Sequence, residues 1–160
     1  MMPITELLER NAHEYCHETA LVEINPEVKE VRRVTWKEYE LIESSPTESY
    51  RREISWSVFD EKANRCANLL LSRGIKKGDK VAILMMNSLE WLPVYFGILK
   101  TGALAVPLNY RYTAQEIRYC LDLADVDAIF FGPEFIGRLE EIYAKIPRVK
   151  LIFYIGDTCP

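Results

Sequence analysis

Four short, nearly continuous apolar runs recur along the second half of the chain, and amphipathic helical patterns separate them. The runs are Val81 to Met85, Leu104 to Val106, Ala128 to Phe131 and Leu151 to Ile155. Such runs are typical of strands that helices cover on both faces of a parallel sheet. Alternation of strands with helices also implies right-handed crossover connections. The pattern therefore predicts an α/β fold in which a parallel βαβ sheet is flanked by helices.

Capping signals indicate where the helices between these strands begin. Asn87 with Glu90, and Thr113 with Glu116, have the spacing of a capping box, so each pair is predicted to start a helix. Pro93 falls in the second turn of the first of these helices. Because a proline inside a helix removes a backbone hydrogen bond, we expect a bend there.

The N-terminal segment has the pattern of a helix, a strand and then a polar excursion. Apolar residues recur at helical spacing over residues 4–17, and residues 20–24 have the composition of a strand. Residues 25–52 are polar and charged, with prolines and serines that mark turns. We expect this segment to be a hairpin or an insertion in an otherwise single α/β domain of residues 1–160.

Two stretches in and after this excursion have similar sequences. Arg33 to Tyr39 is echoed by Glu53 to Phe59, each with Thr or Ser directly before a tryptophan. In the first copy Thr35 and Glu38 have capping-box spacing. Only the second copy continues into a long helical pattern, which ends near Gly74. We predict that the second copy is the strand-to-helix element and that the first is an inserted strand or short helix.

Length and composition exclude several classes of protein. With 160 residues and 49% hydrophobic content, the chain is able to bury one sizeable core. The formal net charge is -4 and no segment is dense in Lys and Arg, so no nucleic-acid partner is expected. The longest apolar run, residues 91–108, contains Lys100, two prolines and two glycines. A membrane span is therefore not predicted.

The cysteines indicate a reducing compartment. Cys16, Cys66, Cys120 and Cys159 lie far apart, without the close C-x-x-C pairs of a zinc knuckle or redox dithiol. No apolar secretory segment follows Met1. We expect unpaired thiols and a cytoplasmic location.

The segment from His13 to His17 has the H-E-x-x-H pattern of zinc proteases. In that chemistry both histidines bind zinc and the glutamate activates a water, so their side of the helix must line a cleft. At about 100° per residue, the apolar side of this helix centres on Leu8, Ala12 and Tyr15, which turns the histidines toward solvent. We expect exposed histidines and no metal site.

Asp122, Asp125 and Asp127 form an acidic cluster in the sequence. The first two lie off the apolar side of their helix, and the third lies at the entry to a strand, where turns favour Asp. We predict a solvated helix end rather than a metal or acid/base site.

The seven glycines do not form a phosphate-binding loop. None of them has the G-x-G-x-x-G or G-x-x-x-x-G-K-[ST] setting that opens a helix toward phosphate. Gly74 and Gly78 are predicted to end a helix and turn the chain, and Gly102 to cap a helix C-terminus.

Three neighbouring stretches carry a family resemblance: Leu99 to Asn109, Gly78 to Ile83 and Thr113 to Ile117. In these the chain resembles the N-terminal part of the adenylate-forming (AMP-binding) enzymes, which include acyl-CoA synthetases, peptide-synthetase adenylation domains and luciferases. The wording from Leu104 to Arg111 is most similar to acyl- or aryl-CoA ligases. The resemblance implies the N-terminal subdomain of an acyl-CoA synthetase-like fold.

This resemblance implies a function for a longer protein. Members of the adenylate-forming family activate a carboxylic acid with ATP and Mg²⁺ and release pyrophosphate. Many then pass the acyl group from the adenylate to CoA. The catalytic motifs of the family lie downstream of a segment like this one, so residues 1–160 should not catalyse alone and should hold no cofactor. The alternative is a non-catalytic truncated α/β module for protein interaction. We expect that the isolated chain can form a homodimer, because the face that meets the missing half would stay apolar and exposed.

Arg111 is the only candidate binding residue. It follows the strand Leu104 to Val106 at its carboxyl end, the edge where open α/β sheets usually bind ligands. In the ligases that this stretch resembles, a basic residue at this position can lie near the nucleotide phosphates of CoA. A planar guanidinium suits that task because it binds phosphate through two hydrogen bonds. The alternative is a surface arginine that pairs with Glu116 or Asp122.

Overall fold

The computed structural model describes residues 2–25, 33–36, 39–42 and 50–156 of the chain. In chain order, its helices and strands are α1 (Ile4–Glu14), β1 (Thr19–Asn25), β2 (Arg33–Trp36), β3 (Tyr39–Ile42), β4 (Tyr50–Ser55), α2 (Trp56–Ser72), β5 (Lys80–Leu84), α3 (Trp91–Lys100), β6 (Leu104–Pro107), α4 (Ala114–Leu123), β7 (Ala128–Phe131), α5 (Ile136–Ile142) and β8 (Leu151–Tyr154).

The four predicted apolar runs form one parallel sheet with strand order β6-β5-β7-β8. In its register, Val81 of β5 lies between Ala105 of β6 and Ala128 of β7. The predicted α/β fold is therefore confirmed. The central strands β5 and β7 are buried on both faces, whereas Leu104 on the edge strand β6 is 55% exposed. Cover on both faces was thus a correct expectation for the two central strands only.

Alternate residues of the central strands face two separate cores. Ala82 and Leu84 of β5 pack in a cluster with α4 and α5. Val81 and Ile83 point the other way, into a cluster with α2 and α3. The connection after β5 therefore crosses on one face of the sheet, and the connections that lead to β7 and β8 cross on the other.

The start of α4 is as predicted. The Thr113 hydroxyl oxygen accepts from the Glu116 backbone N–H at 3.2 Å, and the Glu116 carboxylate accepts from the Thr113 N–H at 2.9 Å. This reciprocal capping box satisfies two backbone donors that the helix itself leaves unpaired.

The predicted start of α3 is wrong. Asn87 and Glu90 form no capping box: the helix begins at Trp91, after Glu90, whose side chain does not cap it. The Glu90 N–H instead donates to the Ser88 hydroxyl oxygen at 3.3 Å. Pro93 consequently lies in the first turn, where backbone N–H groups have no partner within the helix. A proline in the first turn removes no hydrogen bond within the helix, so the reason for the predicted bend at Pro93 does not apply.

The N-terminal elements follow most of the predicted pattern. α1 ends at Glu14, three residues before the predicted end, and β1 pairs antiparallel with β4. Ser55 caps α2 by accepting from the Val58 N–H at 3.3 Å, so the second sequence copy is the strand-to-helix element, as predicted.

The first copy begins with a strand rather than a helix. β2 pairs antiparallel with β3, which confirms a hairpin in the excursion. Thr35 lies inside β2, so it caps no helix, and its proposed partner Glu38 is outside the described residues. Residues 26–32, 37–38 and 43–49 also fall outside that range. Whether residues 25–52 are an insertion stays a prediction.

Candidate functional site

The topology creates a crevice at the carboxyl ends of β5 and β7. The two strands are neighbours, but their outgoing connections leave for helices on opposite faces of the sheet. Open α/β sheets usually bind ligands at such a switch point. A cavity of about 490 Å³ opens there, a volume within the usual range for a small-molecule site. Its lining comprises Glu23, Arg52, Met85, Met86, Asn87, Ser88, Glu90, Gly132, Pro133, Glu134, Ile155 and Gly156.

The charges of this cavity do not favour an anionic ligand. Glu23, Glu90 and Glu134 supply three carboxylates, and Arg52 supplies the one guanidinium among the described lining residues. The carboxylate of Glu23 also has a structural task, because it accepts from the Leu89 N–H at 2.8 Å and ties β1 to the segment before α3. A triphosphate or a free carboxylate would meet net negative charge in this cavity.

Sequence reasoning missed this cavity. Its position depends on β5 and β7 being neighbours, and strands this short do not reveal their order in a sheet. One local signal was present at Gly132, directly after the apolar run of β7. A Cβ atom at this position would lie 2.8 Å from Glu134 Oε2 and 3.9 Å from Met85 Cα. The backbone segments after β7 and β5 therefore lie close together at Gly132.

Arg111 lies on the loop after β6, as predicted, and it is exposed. The loop continues the parallel ladder, since the Leu108 N–H donates to the Ile83 carbonyl at 2.9 Å. The Arg111 Nε donates to the Tyr110 hydroxyl oxygen at 2.9 Å, and its Cζ lies 5.3 Å from the centroid of that ring. The Tyr110 ring thus lies against the Arg111 guanidinium at a distance typical of a cation–π contact.

The two acidic residues named as alternative partners of Arg111 also take part in other contacts. Asp122 lies 3.6 Å from Arg118 Nε, and Glu116 caps α4. Arg111 is not among the residues that line the cavity at β5 and β7. Arg111 and the cavity at β5 and β7 are therefore two separate features of the same sheet edge.

The H-E-x-x-H segment does not have the geometry of a zinc protease. His13 is exposed on the last turn of α1, and His17 is exposed beyond the end of that helix. Leu8 is buried at 2% exposure, as the predicted apolar side requires, but Tyr15 is 45% exposed. Among residues 2–25, 33–36, 39–42 and 50–156, no group of three or more His, Cys, Asp or Glu side chains could hold a metal ion.

The aspartates of the acidic cluster each contact a different partner. Asp125 lies 3.1 Å from Arg148, on the surface, and has a positive φ of 54° after the end of α4. Asp127 is half-buried, and its Oδ2 accepts from the Lys80 N–H at 3.0 Å. Its backbone N–H donates to the Lys80 carbonyl at 2.8 Å. Asp127 thus fastens the amino ends of β5 and β7, the edge opposite the cavity and Arg111.

Three glycines have the turning roles predicted for them. Gly74, Gly78 and Gly102 adopt φ values of 87°, 92° and 78°, in the left-handed region that other residues rarely adopt. The Gly78 N–H donates to the Gly102 carbonyl at 3.1 Å, so the turns before β5 and β6 support each other.

Comparison with known proteins identifies the family. The model of the AMP-binding enzymes matches residues 8–158, so the chain belongs to the AMP-binding enzyme family. A medium/long-chain-fatty-acid–CoA/3-oxocholest-4-en-26-oate–CoA ligase of Mycobacterium marinum is 32% identical over 105 residues, which are 66% of this chain and 19% of that protein. The chain thus spans about a fifth of the length of the curated relatives it matches.

Solved structures agree with the family assignment. The inhibitor-bound N-terminal domain of FACL13 from Mycobacterium tuberculosis matches with a TM-score of 0.76 and 26% identity, over 97% of this chain and 34% of that chain. The anthranilate CoA ligase AuaEII in complex with anthranoyl-AMP matches with a TM-score of 0.76 and 26% identity, over 97% of this chain and 25% of that one.

In the part of the chain that the structure describes, no helix combines the length and apolarity needed to cross a bilayer.

Proposed function

We propose that residues 1–160 are the N-terminal part of an ATP-dependent carboxylate–CoA ligase. The observation that carries this proposal is the family match over residues 8–158, together with relatives whose names specify CoA ligation. In the first half-reaction, a carboxylate oxygen attacks the α-phosphorus of ATP, and pyrophosphate leaves. Mg²⁺, when bound, would neutralise part of the phosphate charge. In the second, the CoA thiolate attacks the acyl carbon, and AMP leaves.

This part of the enzyme has no catalytic residue in the proposal. The charged groups of the cavity at β5 and β7, three carboxylates and one guanidinium, do not fit a nucleotide triphosphate. The groups that react in the two half-reactions are therefore assigned to parts of the enzyme outside residues 1–160. The names of the relatives favour a fatty or aromatic acid as the substrate.

Within this proposal, Arg111 binds a nucleotide phosphate of CoA. Three observations support the role: the guanidinium is exposed, it lies beyond the carboxyl end of β6, and it is stacked on Tyr110. Two N–H groups of a planar guanidinium match two oxygens of one phosphate. No group that reacts is placed on this loop, so the contact should serve binding of CoA rather than formation of the adenylate.

A cytoplasmic location and self-association complete the proposal. Cys16, Cys66 and Cys120 are free thiols, which suits a reducing compartment. The apolar edge residue Leu104 and the helix residue Leu123 are 55% and 70% exposed. We propose that isolated copies of the chain associate through exposed apolar residues such as these.

The full-length enzyme tests the proposed activity directly. Purified protein is incubated with ATP, Mg²⁺ and a panel of fatty and aromatic acids, and pyrophosphate is measured before and after addition of CoA. We expect acid-dependent pyrophosphate release without CoA, and thioester formation only with CoA. Failure of every acid to release pyrophosphate, in a protein that folds, would support a non-catalytic interaction module instead.

A further inference from the structure

The loop that carries Arg111 is held by a second arginine from another helix. Nη1 of Arg138, in α5, donates to the carbonyl oxygen of Tyr110 at 2.7 Å and to that of Tyr112 at 3.2 Å. These two carbonyls belong to the residues on either side of Arg111. One charged donor thus fixes the backbone both before and after the proposed CoA-binding side chain.

Arg138 is itself held in place. Its Cζ lies 5.2 Å from the centroid of the Phe135 ring, and Phe135 is 1% exposed in the core beneath α4 and α5. A second link joins the two helices, because the Gln115 side-chain amide donates to the Glu141 carboxylate at 3.0 Å. The guanidinium of Arg138 therefore rests on a buried aromatic ring.

Hydrogen bonds within the loop connect the backbone that Arg138 holds to the Arg111 side chain. The Asn109 side-chain oxygen accepts from the Arg111 N–H at 2.9 Å, and the Asn109 carbonyl accepts from the Tyr112 N–H at 3.0 Å. The Arg111 guanidinium is hydrogen-bonded to Tyr110, whose backbone carbonyl Arg138 holds. A change at Arg138 would thus remove one restraint on Tyr110, the residue on which Arg111 is stacked.

We propose that Arg138 is a positioning residue for CoA, acting through Arg111. It fixes the Tyr110 and Tyr112 carbonyls, so that the Arg111 guanidinium is already ordered before phosphate arrives. Preordering of this kind raises affinity by reducing the entropy lost on binding. The inference rests on the proposed function, because it assumes that Arg111 binds CoA.

The test compares single and double variants of the full-length enzyme. Arg138→Met removes both hydrogen bonds, and Arg138→Lys keeps the charge but loses the planar guanidinium. We expect Arg138→Met to raise the KM for CoA about 3- to 10-fold. Arg138→Lys should raise it less, and pyrophosphate release in the absence of CoA should stay unchanged in both. Arg148→Ala is the control, because Arg148 pairs with Asp125 at the opposite edge of the sheet.

The double variant shows whether Arg138 acts through Arg111. Adding Arg138→Met to Arg111→Ala should raise the KM for CoA no further. Multiplication of the two single effects, or an equal loss in both half-reactions, would overturn the positioning role. A normal KM for CoA in Arg111→Ala alone would overturn the proposed phosphate contact and this inference with it. If Arg138→Met fails to fold, Arg138→Lys decides: an unchanged KM for CoA in that variant overturns the inference.

Discussion

Lys100 Nζ lies 3.0 Å from Asp60 Oδ1, and this ion pair joins α3 to α2 where the lysine side chain is only 8% exposed. Glu9 of α1 adds a second carboxylate 2.6 Å from the same nitrogen. One ammonium group therefore links three helices. Removing one partner of so poorly solvated a pair is costly, because the remaining charge loses its compensation.

We predict that Lys100→Met lowers the free energy of unfolding by about 1–3 kcal/mol, as measured by urea denaturation. Lys62→Met is the matched control. Lys62 Nζ lies 3.7 Å from Glu90 on the same helical layer, but its side chain is 40% exposed, so its loss should cost less than about 1 kcal/mol. Equal effects of the two substitutions would contradict the structural role of Lys100.

The same cluster predicts a pH dependence. Burial tends to lower the pKa of Lys100, but hydrogen bonds with Glu9 and Asp60 outweigh it and raise the pKa above the ordinary 10.5. A raised pKa in the folded state means that the stabilisation is complete below 10.5 and is lost as pH rises through the folded-state pKa. The stability difference between wild type and Lys100→Met should hold from neutral pH to about 10 and shrink above it. A difference that widens above pH 10.5 would show that the cluster acts otherwise.

The contact between Cys66 and Gly97 sets the distance between α2 and α3. A Cβ atom on Gly97 would lie 2.6 Å from Cys66 Cβ and 3.0 Å from the Ala63 carbonyl oxygen. Gly97→Ala should therefore destabilise the chain by about 1–3 kcal/mol, although alanine is the better helix former. Gly137→Ala in α5 is the control, since nothing lies within 4 Å of its Cβ position. Its thermal midpoint should stay the same or rise, and a similar fall in both variants would refute the packing explanation.

Cys66 should resist alkylation in the folded chain. Burial raises the pKa of its thiol to about 12, so at pH 8 only about one molecule in ten thousand carries the reactive thiolate. Iodoacetamide labelling followed by peptide mass spectrometry should find Cys66 unmodified in buffer and modified in denaturant. Rapid labelling of the folded protein at Cys66 would mean that the packing of α2 on α3 opens readily.

The elements that local sequence determines were predicted well. The apolar runs gave the four strands of the sheet because burial on both faces selects for continuous hydrophobicity, and Thr113 with Glu116 gave the start of α4 because a capping box is a local contact. Asn87 with Glu90 gave a wrong start for α3, because the residue types that cap helices are also common in loops. The sequence did not predict the cavity next to Gly132 or the hydrogen bonds from Arg138 to the loop that carries Arg111. Both depend on strand order and on contacts between residues more than twenty positions apart, which local patterns do not reveal.

Isolated residues 1–160 should not bind ATP at micromolar concentrations. Phosphates need backbone N–H groups or cations that replace their water shell, and the charged groups of the cavity at β5 and β7 are three carboxylates and one guanidinium. Isothermal titration calorimetry with Mg²⁺ present measures this, with the full-length enzyme as the positive control. Micromolar affinity in the isolated segment would reveal a nucleotide site within it.

Arg118→Ala provides the control for the central claim, that the loop after β6 contributes to the CoA half-reaction. Arg118 lies on the neighbouring helix α4 and pairs with Asp122 on the surface at 3.6 Å, so it shares the charge of Arg111 without its position. Its replacement should leave the kinetics of both half-reactions unchanged.

The decisive measurement is the KM for CoA of the full-length Arg111→Ala enzyme, taken beside its rate of acid-dependent pyrophosphate release. A well-formed contact between a guanidinium and phosphate contributes about 1.5–3 kcal/mol, and the exposure of Arg111 places the expected rise in KM near the lower end, at about tenfold. Pyrophosphate release should remain that of the wild type. An equal loss in both half-reactions, or no change in either, would contradict the assignment of Arg111 to CoA.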